Sequence, residues 1–287
     1  MRDREAEKQR KKFVFVSPDE IENLSVDDCI EITEKIINLA NELYPNTVAR
    51  LCLLSGGNDS VACFYTVKDY IDYVVHINTG IGIEETRVFV RNLCKDNDKE
   101  LIEKHPPQGS TYEDLIMEYG FPSANLHYLM YNRLKQRALR EVRNQFIKKN
   151  RSEVIQYYTG VRYSESTRRK KTTDDIMKEG SVVWVAPIAH WSNENIAAYR
   201  KRYNLPMNEV SANLHMSGEC LCGSFAKKGE LDQIKFFYPD TAKYIESLQE
   251  RVRDAGIERC VWGDNGKKKK KVKESGILCT SCDENFN

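Results

Sequence analysis

No run of apolar residues in this chain is long enough to span a bilayer, so no membrane anchor is expected. No apolar h-region follows the charged stretch from Met1 to Lys12, so no secretory leader is expected and the cytoplasm is the expected compartment. Charge of one sign is not in excess: 44 Lys and Arg stand against 43 Asp and Glu, net +1, so a nucleic-acid partner would have to be met by a local patch. The 5 histidines are scattered without metal-ligand spacing and read as structural. No internal repeat is visible. The 9 cysteines are odd in number, and in a reducing compartment grouped cysteines point to metal or redox chemistry rather than to disulfides. What remains is a chain of 287 residues, 40% hydrophobic and 30% charged, long enough for one large domain with a smaller appendage.

Its order is legible from periodicity. Residues 1–17 form a charged N-terminal arm without clear period. Ile30, Ile32, Ile36, Ile37 and Leu39 recur at helical spacing behind Ser25, a fitting N-cap, which predicts a helix to Leu43. Val48 to Leu54 is a nearly continuous apolar run that ends in Ser-Gly-Gly, after which a helical pattern resumes at Val61: strand, tight turn, helix. Strand-like runs recur at Tyr73–Ile77, Val154–Thr159 and Val182–Ile188. Helical stretches fall at 84–94, 111–119, 126–149, 193–203 and 239–255. Such alternation implies an α/β fold with a doubly wound parallel sheet. An α/β domain over residues 18–208 and a C-terminal cysteine region over 209–287 are the expected divisions.

The chemistry concentrates at Ser55-Gly-Gly-Asn-Asp-Ser60. A strand feeding a glycine turn that opens a helix points backbone N–H groups outward at the positive end of the helix dipole, which suits polyphosphate. Gly56 and Gly57 permit close approach, Ser55 and Ser60 offer hydroxyls, and Asp59 is a ligand for magnesium. The loop lacks the Gly-Lys-Ser/Thr ending of a Walker sequence, which argues against cleavage at a γ-phosphate.

Further along, His76-Ile-Asn-Thr-Gly80 precedes Glu84-Glu-Thr-Arg87, and Thr159-Gly-Val-Arg162 precedes Glu165-Ser-Thr-Arg-Arg169. Ala186-Pro-Ile188 with Trp191 and then Gly218-Glu-Cys-Leu-Cys222 complete a series. In this order, over roughly residues 45 to 240, the segments resemble the phosphoadenosine phosphosulfate (PAPS) reductase family of PP-loop ATP pyrophosphatases. The resemblance implies a five-stranded, adenine nucleotide alpha hydrolase-like sheet with a C-terminal cysteine-bearing extension. It implies that Ser55, Gly56, Gly57, Asn58, Asp59 and Ser60 grip phosphate, that Asn78, Thr79 and Gly80 border the nucleotide, and that Arg162 faces its anionic end. Asp59, Arg162 and Arg168 are the expected catalytic groups, since guanidinium forks pair with phosphate or sulfate and offset developing charge.

Cys220 and Cys222 lie together, and Cys279 and Cys282 form a C-x-x-C. Two local pairs joined by a long segment suit tetrahedral zinc or an iron-sulfur cluster. Cys260 is a spare in the same region, while Cys29, Cys52, Cys63 and Cys94 read as packed thiols. Resemblance favours a four-iron four-sulfur (4Fe-4S) cluster over zinc. Lys267 to Lys271 with Lys273, and the Arg-rich stretch from Arg133 to Lys149, offer cation runs for a nucleic-acid backbone or a solvated face.

Three functions follow. The first is ATP-dependent, iron-sulfur-dependent sulfur transfer: ATP with Mg2+ adenylates an acceptor, pyrophosphate leaves, and sulfur is passed to nucleic acid, as in the DNA phosphorothioation relatives the chain resembles. It is favoured because position 58 is Asn where many reductases carry Lys, and the reductases' C-terminal Glu-Cys-Gly-X-His is absent. The second is sulfonucleotide (APS/PAPS) reduction. The third is a non-catalytic nucleotide-binding subunit of a larger complex. Adenine nucleotide, nucleic acid, a sulfur-donor or complex partner protein, and assembly into an oligomer are the expected partnerships.

Overall fold

The computed structural model describes residues 15–17, 20–148, 152–165 and 174–264. Helix α1, Val26–Leu43, begins at a capping box: the Ser25 hydroxyl accepts the Asp28 N–H and the Asp28 carboxylate accepts the Ser25 N–H. Its buried stripe is Cys29, Ile32, Ile36, Ile37 and Ala40, the three- and four-residue spacing of a helix packed on one face. The chain continues through β1 (Thr47–Leu53), α2 (Asn58–Val67), β2 (Tyr73–Ile77), α3 (Glu84–Asp96), β3 (Glu100–Lys104) and α4 (Tyr112–Tyr119). Next comes α5, in three continuous stretches, His127–Met130, a π-helical Tyr131–Gln136 and Arg137–Phe146. Then follow β4 (Val154–Tyr158), β5 (Ile176–Glu179), β6 (Val182–Val185), α6 (Asn193–Arg202), α7 (Glu209–Leu214), α8 (Glu230–Phe237) and α9 (Pro239–Asp254).

The sheet has six strands in the order β3-β2-β1-β4-β6-β5. All pairings are parallel except β5 with β6. The expected five-stranded parallel sheet is therefore corrected to a mixed one. The extra edge arises because the chain reverses at Gly180, in the left-handed region at φ 59°, and lays Ile176–Glu179 back along β6. Only Ile176 of that strand is buried, so its Ile-Met-Lys-Glu sequence carries almost no strand pattern.

Alternate strand residues face opposite layers. Cys52, Val74, Tyr158, Val183 and Val185 join α1, α2, α3 and α6 on one face. Leu51, Leu53, Val75, Tyr157 and Trp184 meet Ala138, Leu139 and Val142 of α5 on the other. Because β2 and β4 flank β1 on opposite sides, the loops leaving β1 and β4 diverge, and the crevice expected of such a switch point falls at their carboxyl ends. A further core joins Ile81, Ile83, Leu115, Ile116, Phe121 and Leu134 to Val210, Leu221, Ile234, Ile245, Leu248 and Trp262. Residues on both sides of position 208 thus share buried surface. Among the described residues no helix is long and apolar enough to cross a membrane.

Candidate nucleotide site

The loop leaving β1 sits at this crevice. Gly56 adopts φ 82°, and a Cβ there would lie 2.9 Å from the Thr86 Cγ2 and 3.1 Å from the Asn208 Nδ2, so both the backbone and the space demand glycine. Gly57 is the N-cap of α2 and contributes no side-chain cap, which leaves the first helical N–H groups for another acceptor. The Ser60 hydroxyl donates to the Gly57 carbonyl at 2.9 Å and lies 3.1 Å from the Ser55 Oγ, placing two hydroxyls at the mouth of the loop. The Gly56 carbonyl faces away and accepts from Asn208 Nδ2 at 3.1 Å and Ser211 Oγ at 3.3 Å. From the β4 side, Gly160 presses on the first turn of α2: a Cβ there would lie 2.9 Å from Asp59 and Ser60 backbone atoms.

Arg162 is only 5% exposed. Its guanidinium donates to Ser164 Oγ at 2.7 Å, Trp191 O at 3.1 Å and Asn193 Oδ1 at 3.0 Å, and pairs with Asp59 at 3.1 Å. Arg162 thus reaches the loop through Asp59, tying α2 to the β4 exit and to the start of α6.

On the far side, Asn78 donates from Nδ2 to Glu103 at 2.9 Å and accepts the Gly80 N–H at 3.0 Å. Glu103 is also held by Arg91 at 2.8 and 2.9 Å, and this guanidinium, chiefly, lowers its carboxyl to about 2. Asn78 and Thr79 are buried, while Gly80 lies at the surface.

The cysteine segment is bonded directly to this turn. Thr79 Oγ1 donates to Glu219 O at 3.0 Å, Ile83 N to Gly218 O at 2.8 Å, and Leu221 N to Ile81 O at 2.7 Å. Gly82 is the close-approach residue, since a Cβ would lie 2.4 Å from the Glu219 carbonyl oxygen. Lys135, from the π-helical part of α5, pairs with Glu219 at 2.9 Å, both largely buried. The Cys220 thiol is pushed well up by its hydrogen bond with Cys222 and by burial, and Lys135 opposes the shift.

The phosphoadenosine phosphosulfate reductase domain matches residues 50–217. The chain belongs to that family. Solved structures similar to this family member include the PAPS reductase from Candida auris in a phosphate complex, at 16% identity and TM-score 0.47, covering 70% of this chain and 93% of that one. An NH3-dependent NAD synthetase from Campylobacter jejuni with nitrate is 16% identical at TM-score 0.46, covering 86% of this chain and 99% of that one. The NMN synthetase from Francisella tularensis is 14% identical at TM-score 0.47, covering 89% and 100%. No curated protein sequence matches. Family membership implies an adenine-nucleotide site.

In this PAPS reductase family member, Ser55 to Ser60, the Asn78–Gly80 turn and Arg162 converge on the carboxyl end of the sheet. Cys220 and Cys222 follow directly on the family match. Arg168, Arg169, Cys279, Cys282 and the lysine run lie outside the described residues. Among the described residues no three His, Cys, Asp or Glu side chains gather to hold a metal ion, so Cys260 does not complete a set with the pair. Cys29, Cys52, Cys63 and Cys94 are buried, and burial drives the Cys29 and Cys94 thiols up to about 11 and about 12, as packed thiols should be. Sequence reasoning missed Asn208, Ser211, Glu219 and Arg200. Asn208 carried a legible signal as the N-cap before Glu209, but a cap pattern does not reveal that its amide also holds Gly56.

Proposed function

We propose that this chain is a PP-loop enzyme that binds ATP with Mg2+ and activates an acceptor by adenylation for sulfur transfer to nucleic acid. The observation that carries the reading is the direct bonding of the Gly218–Cys222 segment to the Asn78–Ile83 turn beside the glycine loop, which ties the stretch of chain that bears the thiol pair to the candidate nucleotide site. The free N–H groups opening α2 and the Ser55 and Ser60 hydroxyls hold phosphate oxygens. Asp59, both of whose oxygens lie 3.1 Å from Arg162 Nη2, would offer its remaining lone pairs to a magnesium ion. An acceptor oxygen attacks the α-phosphorus, the bond to the bridging oxygen breaks, and pyrophosphate departs with that electron pair. A sulfur nucleophile then attacks the activated centre and AMP leaves with the acceptor oxygen.

Cys220 and Cys222 are in hydrogen-bond contact and supply two of the four sulfurs a cluster or zinc site takes, with Lys135 placed to offset thiolate charge. We propose Cys279 and Cys282 as the other two. These four thiolates would hold a four-iron four-sulfur cluster, which would supply sulfur and electron chemistry that the protein side chains lack.

The test is pyrophosphate and AMP release from ATP by anaerobically purified protein with DNA, tRNA or no acceptor, beside iron and sulfide analysis. Acceptor-dependent AMP with stoichiometric pyrophosphate supports the reading. ATP binding without turnover on any acceptor points to a nucleotide-binding subunit instead.

A further inference from the structure

Arg200 is half-buried. It lies near the end of α6, which packs against α2, and its charge acts on Asp59. Its Nη2 donates to the Pro206 carbonyl at 3.1 Å, and its own carbonyl accepts the Leu205 N–H at 2.9 Å. The turn so formed runs into Asn208, whose amide holds the Gly56 carbonyl of the loop. Arg200 therefore braces the turn that leads from the end of α6 to Asn208. Its Nη1 is buried and finds no hydrogen-bond partner among the described residues. A buried guanidinium donor without an acceptor is costly, and the cost is relieved when an anion arrives.

The start of α2 points the same way: its positive end favours an anion, and Asp59 beside it is already paired with Arg162 at 3.1 Å.

We propose that Arg200 is a second anion-binding side chain of this site, reached by a phosphate beyond the one the loop N–H groups hold, so that it selects a polyphosphate over a monophosphate. The proposal rests on the nucleotide reading above. The loop hydroxyls and N–H groups take the first phosphate, and the guanidinium fork on the α6 side of Asp59 takes the next, which becomes part of the pyrophosphate when the α–β bond breaks.

The test is calorimetric titration of the full chain with ATP, AMP and inorganic pyrophosphate, for wild type, Arg200→Met, which keeps the aliphatic stem, and Arg200→Lys. Loss of a charge-assisted fork predicts that Arg200→Met binds ATP and pyrophosphate about tenfold or more weakly, with AMP unchanged. Arg200→Lys, which keeps charge without the fork, falls between, and it carries the test alone should the Met variant not fold. Equal weakening of ATP and AMP, or unchanged ATP binding with a lowered Tm, makes Arg200 a brace for the end of α6 and overturns the proposal. If wild type binds none of the three, the nucleotide reading itself falls, and that result is distinct from the selective loss.

Discussion

Gly56 and Gly80 share a left-handed backbone, at φ 82° and 80°, yet differ in their surroundings. A Cβ at Gly80 meets nothing within 4 Å, whereas at Gly56 it meets Thr86 at 2.9 Å. Gly80→Ala should therefore cost only the backbone strain, roughly 1–2 kcal/mol. Gly56→Ala adds steric overlap at the phosphate loop and should lower Tm further and abolish ATP binding. Equal Tm shifts for the two variants, by thermal denaturation, would contradict this account. Glu103 gives a pH prediction. Its carboxyl is held at about 2 rather than the usual 4.5, chiefly by Arg91 and also by Asn78. A depressed carboxyl stabilises the fold fully above its unfolded value and loses that contribution as pH falls through the folded one. The Tm gap between wild type and Glu103→Gln should be largest near neutrality and close between about pH 4.5 and pH 2. A gap that widens on acidification would refute the assignment.

The element that matters most for the site is α6, because it carries Asn193 to Arg162 at one end and, at the other, Arg200, which is bonded to the turn that leads to Asn208. Its N-cap Ser192 is buried, accepting the Asn195 N–H at 3.1 Å and donating to the Asn195 Oδ1 at 2.8 Å. Ser192→Ala should cost about 1–2 kcal/mol as the loss of a cap, visible in urea unfolding, and should weaken ATP binding as well, since the helix also positions the two arginines. A stability loss with ATP affinity untouched would show that α6 does not organise the site. The start of this helix was legible in the sequence, as were α1, α3, α4, α9 and the strand–glycine–helix passage through Ser55. Local chemistry decides each of these: a cap, a period or a turn residue. The edge strands were not legible, because Glu100–Lys104 and Ile176–Glu179 carry charge and little alternation. Nor was the π-helical stretch of α5, whose residues Tyr131–Gln136 suit an ordinary helix. The Lys135–Glu219 pair and the bond from Asn208 to the Gly56 carbonyl arise from tertiary packing between distant segments, and no local pattern encodes them.

Across the whole molecule, the nucleotide crevice and the thiol pair belong to different packing units. The sheet and its helices enclose the glycine loop, while Cys220 and Cys222 sit in the core shared by α4, α5, α8 and α9. Segment 217–222 joins them, held on one side by the Thr79, Ile81 and Ile83 bonds. On the other side it is held by the Trp262 indole, whose N–H donates to the Leu221 carbonyl at 2.7 Å, and by the Tyr112 hydroxyl, which donates to the Cys222 carbonyl at 2.9 Å. Trp262 is 5% exposed and packs on Gly223, so its truncation removes a large buried ring and a buried hydrogen bond together. Trp262→Ala should cost about 3–5 kcal/mol. The loss should fall unevenly: the thiols next to Leu221 gain access to solvent, while the glycine loop keeps Asn208, Ser211 and Arg162. Under native conditions a thiol reagent should therefore label Cys220 and Cys222 faster in the variant than in wild type, with ATP affinity changed by less than about threefold, since removed contacts far from a site contribute little to it. If labelling is unchanged while stability falls, Trp262 is packing alone. If ATP binding collapses together with thiol protection, the two units form one cooperative body, and the thiol pair senses the nucleotide through segment 217–222.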